Sequence, residues 1–156
     1  MHLTLISEPT KIYNIEPIFN GKAFWLREPI RYIDKFGNFE TQGKEVPIGF
    51  VFDGYSIPFG RKIFNREWNL SDACLHDWQY FTGFPRDIAD RSLGVNMLRS
   101  GNTTFSARCV ACGVNLFGWI PYEHYRMTRM HMAWSSANRI AEDKKTAERI
   151  AMVITV

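Results

Sequence analysis

The texture of the chain changes once, near Pro58, and that change constrains the fold more than any composition figure. Before it, Phe24-Trp25-Leu26, Ile30-Arg31-Tyr32-Ile33 and Glu45 to Phe52 are short runs rich in aromatic and β-branched residues, separated by turn formers. Asp34-Lys35-Phe36-Gly37-Asn38 reads as the hairpin turn joining two of them. After Pro58, glycine and proline punctuate helical lengths. Asn69 or Ser71 is placed to cap a helix to about Phe81, ended by Gly83-Phe84, and Pro85 opens the next helix, to about Arg99. Gly101-Asn102 precedes a third helix, from about Phe105 to Phe117 before Gly118, and a fourth, amphipathic segment spans about Ser136 to Met152. The expectation is an α+β fold, with a small N-terminal antiparallel β-sheet packed on a C-terminal bundle of three to four helices. One domain is expected, with residues 1–58 mainly β, 66–118 a helical half, and 119–156 a C-terminal extension.

With 156 residues, 46% of them hydrophobic, such a fold can bury a core without metal or disulfide staples. Nineteen Lys and Arg against 16 Asp and Glu leave a net charge of only +3, interspersed rather than focused, so a nucleic-acid partner is not expected. Three cysteines, Cys74, Cys109 and Cys112, make no disulfide framework, which points to a reducing compartment. Met1 to Ile6 carries no basic segment before an apolar run, and no stretch approaches the ~20 apolar residues of a spanning helix. Synthesis in a cytoplasm, without a transmembrane segment, is the expectation.

The chemistry-bearing stretch is Ala73-Cys74-Leu75-His76-Asp77-Trp78-Gln79-Tyr80. On a helix Ala73, His76, Asp77 and Tyr80 share one face, a His beside a carboxylate. On the next helix Asp90 lines up with Leu93, Gly94 and Met97. Two helices joined by so short a turn pack antiparallel, which brings Asp90 opposite His76. A carboxylate accepting the imidazole N–H fixes its tautomer, and Asp77 remains free for a hard cation. A purely structural His–Asp bond tying the two helices has the same spacing, so both readings stand.

A second cluster, Val46-Pro47-Ile48-Gly49-Phe50-Val51-Phe52-Asp53-Gly54-Tyr55-Ser56-Ile57-Pro58, is a strand leaving through Asp-Gly into a tight turn. Its oxygens suit a calcium ion and its N–H groups an oxyanion, or Asp53 and Ser56 simply cap backbone groups. Cys109-x-x-Cys112 has redox or zinc spacing, but sits within a helix without a second pair. His124 to Trp134 mixes Met, Arg and aromatics and reads as a strap over the core, or as a surface for lipid headgroups or a protein partner.

Together the motifs Val46-Pro47-x-Gly49-Phe50-x-x-Asp53-Gly54-x-Ser56-Ile57-Pro58, Ala73-x-x-His76-Asp77-x-x-Tyr80 and Arg86-x-x-Ala89-Asp90 with Met97 resemble a phage-encoded family filed as domain-of-unknown-function family 1353. The resemblance covers about residues 20–118 and departs at Phe52 and Tyr55, where Thr and Ala are expected. It implies a phage or prophage origin and no particular activity; synthesis in the host cytoplasm is then the expectation, with incorporation into the virion left open. The helical pair is also similar to phospholipase A2 of the short bacterial and fungal type. That similarity implies His76 as general base, Asp90 as the carboxylate orienting it, Tyr80 as a support, and Asp77 as a ligand of Ca2+ or another divalent cation. The glycine-rich calcium loop would be replaced by Asp53 to Pro58, with Asp53 as a second metal ligand and Gly54 and Ser56 supporting; the disulfide cysteines of the secreted enzymes are absent. Two classes of function follow: a small hydrolase acting on phospholipid or cell wall, and a non-enzymatic virion or host-takeover protein that binds a phage structural protein or another partner.

Overall fold

The computed structural model describes residues 1–37, 39–40, 43–54, 66–120, 122–123 and 139–155. The fold is α+β, with antiparallel strands in the N-terminal third and helices after it. β1 (His2–Ile6) pairs along one edge of β4 (Ile30–Phe36), while β5 (Phe39–Glu40) and β6 (Lys44–Val46) lie end to end along the other. β2 (Ile15–Ile18), β3 (Ala23–Leu26) and β7 (Val51–Phe52) form a second small sheet with β3 in the centre. The expected run from Glu45 to Phe52 is thus divided between two sheets. Pro47 has no N–H for a ladder and Gly49 turns the chain at φ +90°, where an added Cβ would lie 2.5 Å from the Ala141 carbonyl oxygen. The β4–β5 hairpin is also tighter than expected. Asp34, Lys35 and Phe36 belong to β4, and Phe36 pairs directly with Phe39. Asp34 is buried there, accepting from Thr4 Oγ1 at 2.6 Å and from Lys44 Nζ at 2.9 Å.

α1 (Arg66–Thr82) is already helical upstream of both expected caps, and Ser71 is buried within it, because extending a helix through Asn69 costs only a fraction of a kcal/mol. Its other end is set locally: the N–H of Gly83 bonds the Tyr80 carbonyl and that of Phe84 the Gln79 carbonyl, the pairing of a left-handed glycine cap. α2 (Arg86–Arg99) follows with Pro85 one residue before its first turn, and ends on the same device at Gly101 and Asn102. α3 (Thr104–Phe117) is capped by the Thr103 hydroxyl. α4 (Lys144–Ile154) begins eight residues after the expected Ser136. Arg139 to Ala141 is extended instead, exchanging backbone hydrogen bonds with Gly49 and Val51, and Asp143 caps the helix. The strap expected over His124 to Trp134 lies outside the described residues.

β3 is buried on both sides. Phe24 and Leu26 face a core shared with Ile6, Ile30, Val46, Phe50, Phe52, Cys74 and Leu75 of α1. Ala23 and Trp25 face the opposite way, onto Ala141, Ala147 and Ala151, so the C-terminal segment closes the far face of the second sheet. α2 packs on α1 and α3, and fastens itself to the outer edge of β1. Ser92 Oγ accepts from Thr4 N–H, Asn96 Oδ1 from Ile6 N–H, and Asn96 Nδ2 and Arg99 Nη1 donate to the carbonyls of Thr4 and Ile6, all at 2.9–3.0 Å. Beneath this seam Asp72 is fully buried; Ser100 donates to its Oδ1, its Oδ2 has no hydrogen-bond partner, and burial pushes its carboxyl up to about 7.

Two predictions follow from these buried polar groups. Asn96→Leu leaves one N–H and one C=O of β1 unpaired, each worth ~1–3 kcal/mol when buried, so urea unfolding should show a loss of about 2–5 kcal/mol and faster amide exchange at Ile6. Asp72, raised in the folded state, stabilises most below its unfolded value of 3.8 and loses that contribution as pH climbs through about 7. Asp72→Asn should therefore gain on the order of 2 kcal/mol relative to wild type at pH 8 and little at pH 4.

Candidate active site

The glycine cap at Gly83 turns the chain so sharply that α1 and α2 lie against each other, and their facing polar residues meet. His76 Nε2 is 3.0 Å from Asp90 Oδ1. A carboxylate only accepts, so Nε2 carries the proton and Nδ1 holds the lone pair of the neutral ring. Nδ1 is 3.9 Å from Asp77 Oδ1, too far for a hydrogen bond. Tyr80, one turn on from His76, donates its hydroxyl to the same Asp90 Oδ1 at 2.6 Å and packs its ring 4.2 Å from the imidazole.

Asp90 is held on its other oxygen as well. Arg86, one turn earlier on α2, places Nε 3.3 Å from Oδ2 and extends Nη2 to the carbonyls of Asn115 at 2.6 Å and Val114 at 3.3 Å. The guanidinium thus joins the dyad carboxylate to the end of α3, where the last carbonyls of a helix lack internal partners. Burial and then the Asp90 carboxylate push the Tyr80 phenol far above its usual range, keeping it a donor. For His76, burial alone would lower the imidazole, but Asp77 and Asp90 outweigh it and hold it above its ordinary 6.5. His76 retains 7% of its surface, and Asp77 and Asp90 are buried beside it.

Asp77 Oδ2 is buried without a hydrogen-bond partner, a position suited to an ordered water or a hard cation. Among the described residues no three His, Cys, Asp or Glu side chains are grouped to hold a metal. The polar partners of His76 are Asp90 and Asp77, with Tyr80 against its ring; Asp53 is not among them. Asp53 follows β7, half-buried, and Gly54 is buried at φ +73° against the Phe24 ring. Ser56, with Tyr55, Ile57 and Pro58, lies outside the described residues. Cys74 is a core thiol that burial pushes well above its usual value, and Cys109 and Cys112 are free.

Three contributors had no role from sequence. Arg86 stood in a motif without one, although its spacing of four from Asp90 is that of a helical ion pair. Gly118 read only as a helix stop, yet an added Cβ would lie 2.6 Å from Tyr80 Oη. Tyr122 packs edge-on against Tyr80, with 5.1 Å between ring centroids. No family model matches the chain, and neither does any curated protein or solved structure.

Gly118→Ala would set its Cβ against the Val114 carbonyl oxygen as well as the Tyr80 hydroxyl, so it should strain the end of α3 and push the hydroxyl off Asp90, at a cost of about 1–3 kcal/mol in urea unfolding. Tyr80→Phe, which removes the hydroxyl and keeps the ring, should recover part of that cost in the double variant; strict additivity would show that the two groups do not press on each other.

Proposed function

We propose that the protein is a small phage-encoded hydrolase in which His76 activates water for attack on an ester or amide of the host cell envelope. The observation that supports this reading is the asymmetry of the imidazole, with Nε2–H anchored on Asp90 and Nδ1 3.9 Å from Asp77 Oδ1 and in no hydrogen bond among the described residues. A water donating to Nδ1 would pass its proton there as its oxygen adds to the substrate carbonyl. The imidazolium, stabilised through Nε2 by Asp90, would return that proton to the leaving oxygen or nitrogen. Arg86 and Tyr80 hold Asp90 in place, so the ring keeps one tautomer through the cycle. The resemblance to phospholipase A2 adds a divalent cation, Ca2+ or another, with Asp77 and Asp53 as ligands. Asp77 Oδ2 fits that role, and the chemistry such an ion supplies is polarisation of the carbonyl.

The burial of His76 and Tyr80 favours a second reading. In it the same network only locks α1 to α2, and the protein is a non-enzymatic virion or host-takeover component that binds a protein partner.

Assays on phospholipid vesicles and on purified cell wall, run beside thermal melts, separate the two. For the hydrolase, His76→Gln should lose at least about 100-fold in turnover while the melt moves by a few degrees. Wild-type kcat/KM should rise with pH to a plateau, with a midpoint above 6.5, because the raised imidazole acts only when neutral. The structural lock predicts no turnover in wild type and a large stability loss in His76→Gln at low pH. That loss shrinks as pH rises, since the His76 contribution is complete below 6.5 and disappears through its raised folded value.

A further inference from the structure

Cys109 and Cys112 are both free thiols in the middle of α3, the first half-buried and the second exposed. A spacing of three puts them on one helix face, as the Glu-x-x-His pairs of helical metal sites are placed. That face lies opposite the packing side, where Ala107, Val110 and Val114 meet Leu93 and Met97 of α2. Phe105, Cys109, Cys112 and Leu116 recur along it at intervals of four, three and four, and Trp119 follows three residues later, just past the helix. This alternation is the seam by which one helix pairs with another. In the single chain the seam is unfilled: Phe105 is 73% exposed, Leu116 60% and Trp119 55%.

Two thiols are half of what a structural Zn2+ takes, since its closed sites have four ligands in a tetrahedron. Among the described residues of one chain no three ligand side chains are grouped. The layout of α3 supplies the missing pair. The midpoint of Thr104–Phe117 falls between Val110 and Ala111, and the midpoint of the two cysteines falls at the same place. A two-fold axis through that point sets a second α3 antiparallel to the first, so that each residue faces the one equally far beyond the axis. Cys109 then meets Cys112 of the second copy, and Phe105 meets Leu116. We infer that two copies of the chain pair through this face around one tetrahedral Zn2+, held by Cys109 and Cys112 of each.

Charge and area both bear on that occupant. Each thiol gives up its proton on binding, so four thiolates around a divalent ion leave the centre with two negative charges. Arg108, the single charged side chain across residues 104–120, stands one turn before Cys112 and faces Gly113 of the second copy, which has no side chain in its way. The two guanidinium groups, one from each chain, balance the centre; without the ion they would enter an apolar seam unpaired. A helix of 14 residues is only about 21 Å long, and one such contact covers less than the ~800 Å² per partner of a stable interface. The pairing therefore depends on the metal. It concerns assembly and does not rest on the hydrolase reading.

The test uses the full chain in a phosphine reductant, which keeps disulfides from forming. Analytical ultracentrifugation should find a monomer in EDTA and a dimer once Zn2+ is added, with one ion bound per two chains. Co2+ in place of Zn2+ should give the thiolate-to-metal charge-transfer band and the strong visible bands of a tetrahedral four-sulfur site. Cys109→Ser and, separately, Cys112→Ser should lose both the dimer and that spectrum, with melts in EDTA unchanged. Phe105→Glu and Leu116→Lys should each weaken the Zn2+-dependent pairing about tenfold or more. Their equimolar mixture should restore it, because the introduced carboxylate then faces the introduced ammonium at one end of the seam while the native pair remains at the other. A chain that stays monomeric with Zn2+, or binds one ion per monomer, overturns the inference. So does a dimer that persists in EDTA, or a Zn2+-dependent dimer that the cysteine variants leave intact, and failure of the mixture to recover overturns the antiparallel seam.

Discussion

A strand at the edge of a sheet presents N–H and C=O groups that must be paired, covered or left to water. β1 solves this with a helix instead of another strand. Ser92, Asn96 and Arg99, spaced four and three apart on α2, reproduce with side chains the alternating donors and acceptors of a neighbouring strand. Hydrogen bonds of this length fix the height and rotation of α2 closely. Everything else on α2 inherits that position: Leu93 and Met97 are turned to α3, and Asp90, nearly opposite the edge-binding side, is turned to α1. The dyad is therefore anchored to the sheet through a helix that touches it with polar groups.

Within the site the two carboxylates differ in how fully they are matched. Asp90 receives His76 and Tyr80 on one oxygen and faces Arg86 with the other, so its charge is balanced by neighbours fixed in packed helices. Asp77 has His76 at a distance on one side and nothing on its buried Oδ2. That difference gives the imidazole a fixed side and an open side. Reactive arrangements need this division, and so does a water-filled structural network, which is why melting and turnover must be read together.

The sequence was most informative where structure is local. Gly83 and Gly101 end helices by backbone geometry that needs no distant partner, and the short turn between α1 and α2 was enough to place Asp90 opposite His76. It was least informative where a residue's role depends on something far along the chain. Ser92, Asn96 and Arg99 look like a solvated face until β1 lies against them, and Arg139 to Ala141 follows a helical pattern until Gly49 offers a place for an extended segment. Asp34 read as a turn residue because its partners, Thr4 and Lys44, come from separate strands. Arg86 and Gly118 belong to the same class, since neither position has meaning before α3 arrives beside Tyr80.

The pairing of β1 with α2 also sets an order of events during synthesis. Residues 2–6 leave the ribosome about ninety positions ahead of the side chains that satisfy their edge, and the second sheet waits longer still for residues 139–151 to cover Trp25 and Val51. At the ~5–20 residues per second of translation, the first delay lasts roughly 5–20 s. During that interval the nascent chain carries an open β edge and an uncovered apolar sheet face, both surfaces that chaperones bind and that self-associate when crowded. Neither sheet can be completed until translation has passed the helix that closes it, so rapid overproduction, which brings many such half-made chains together, should be the condition under which this protein is lost to aggregates.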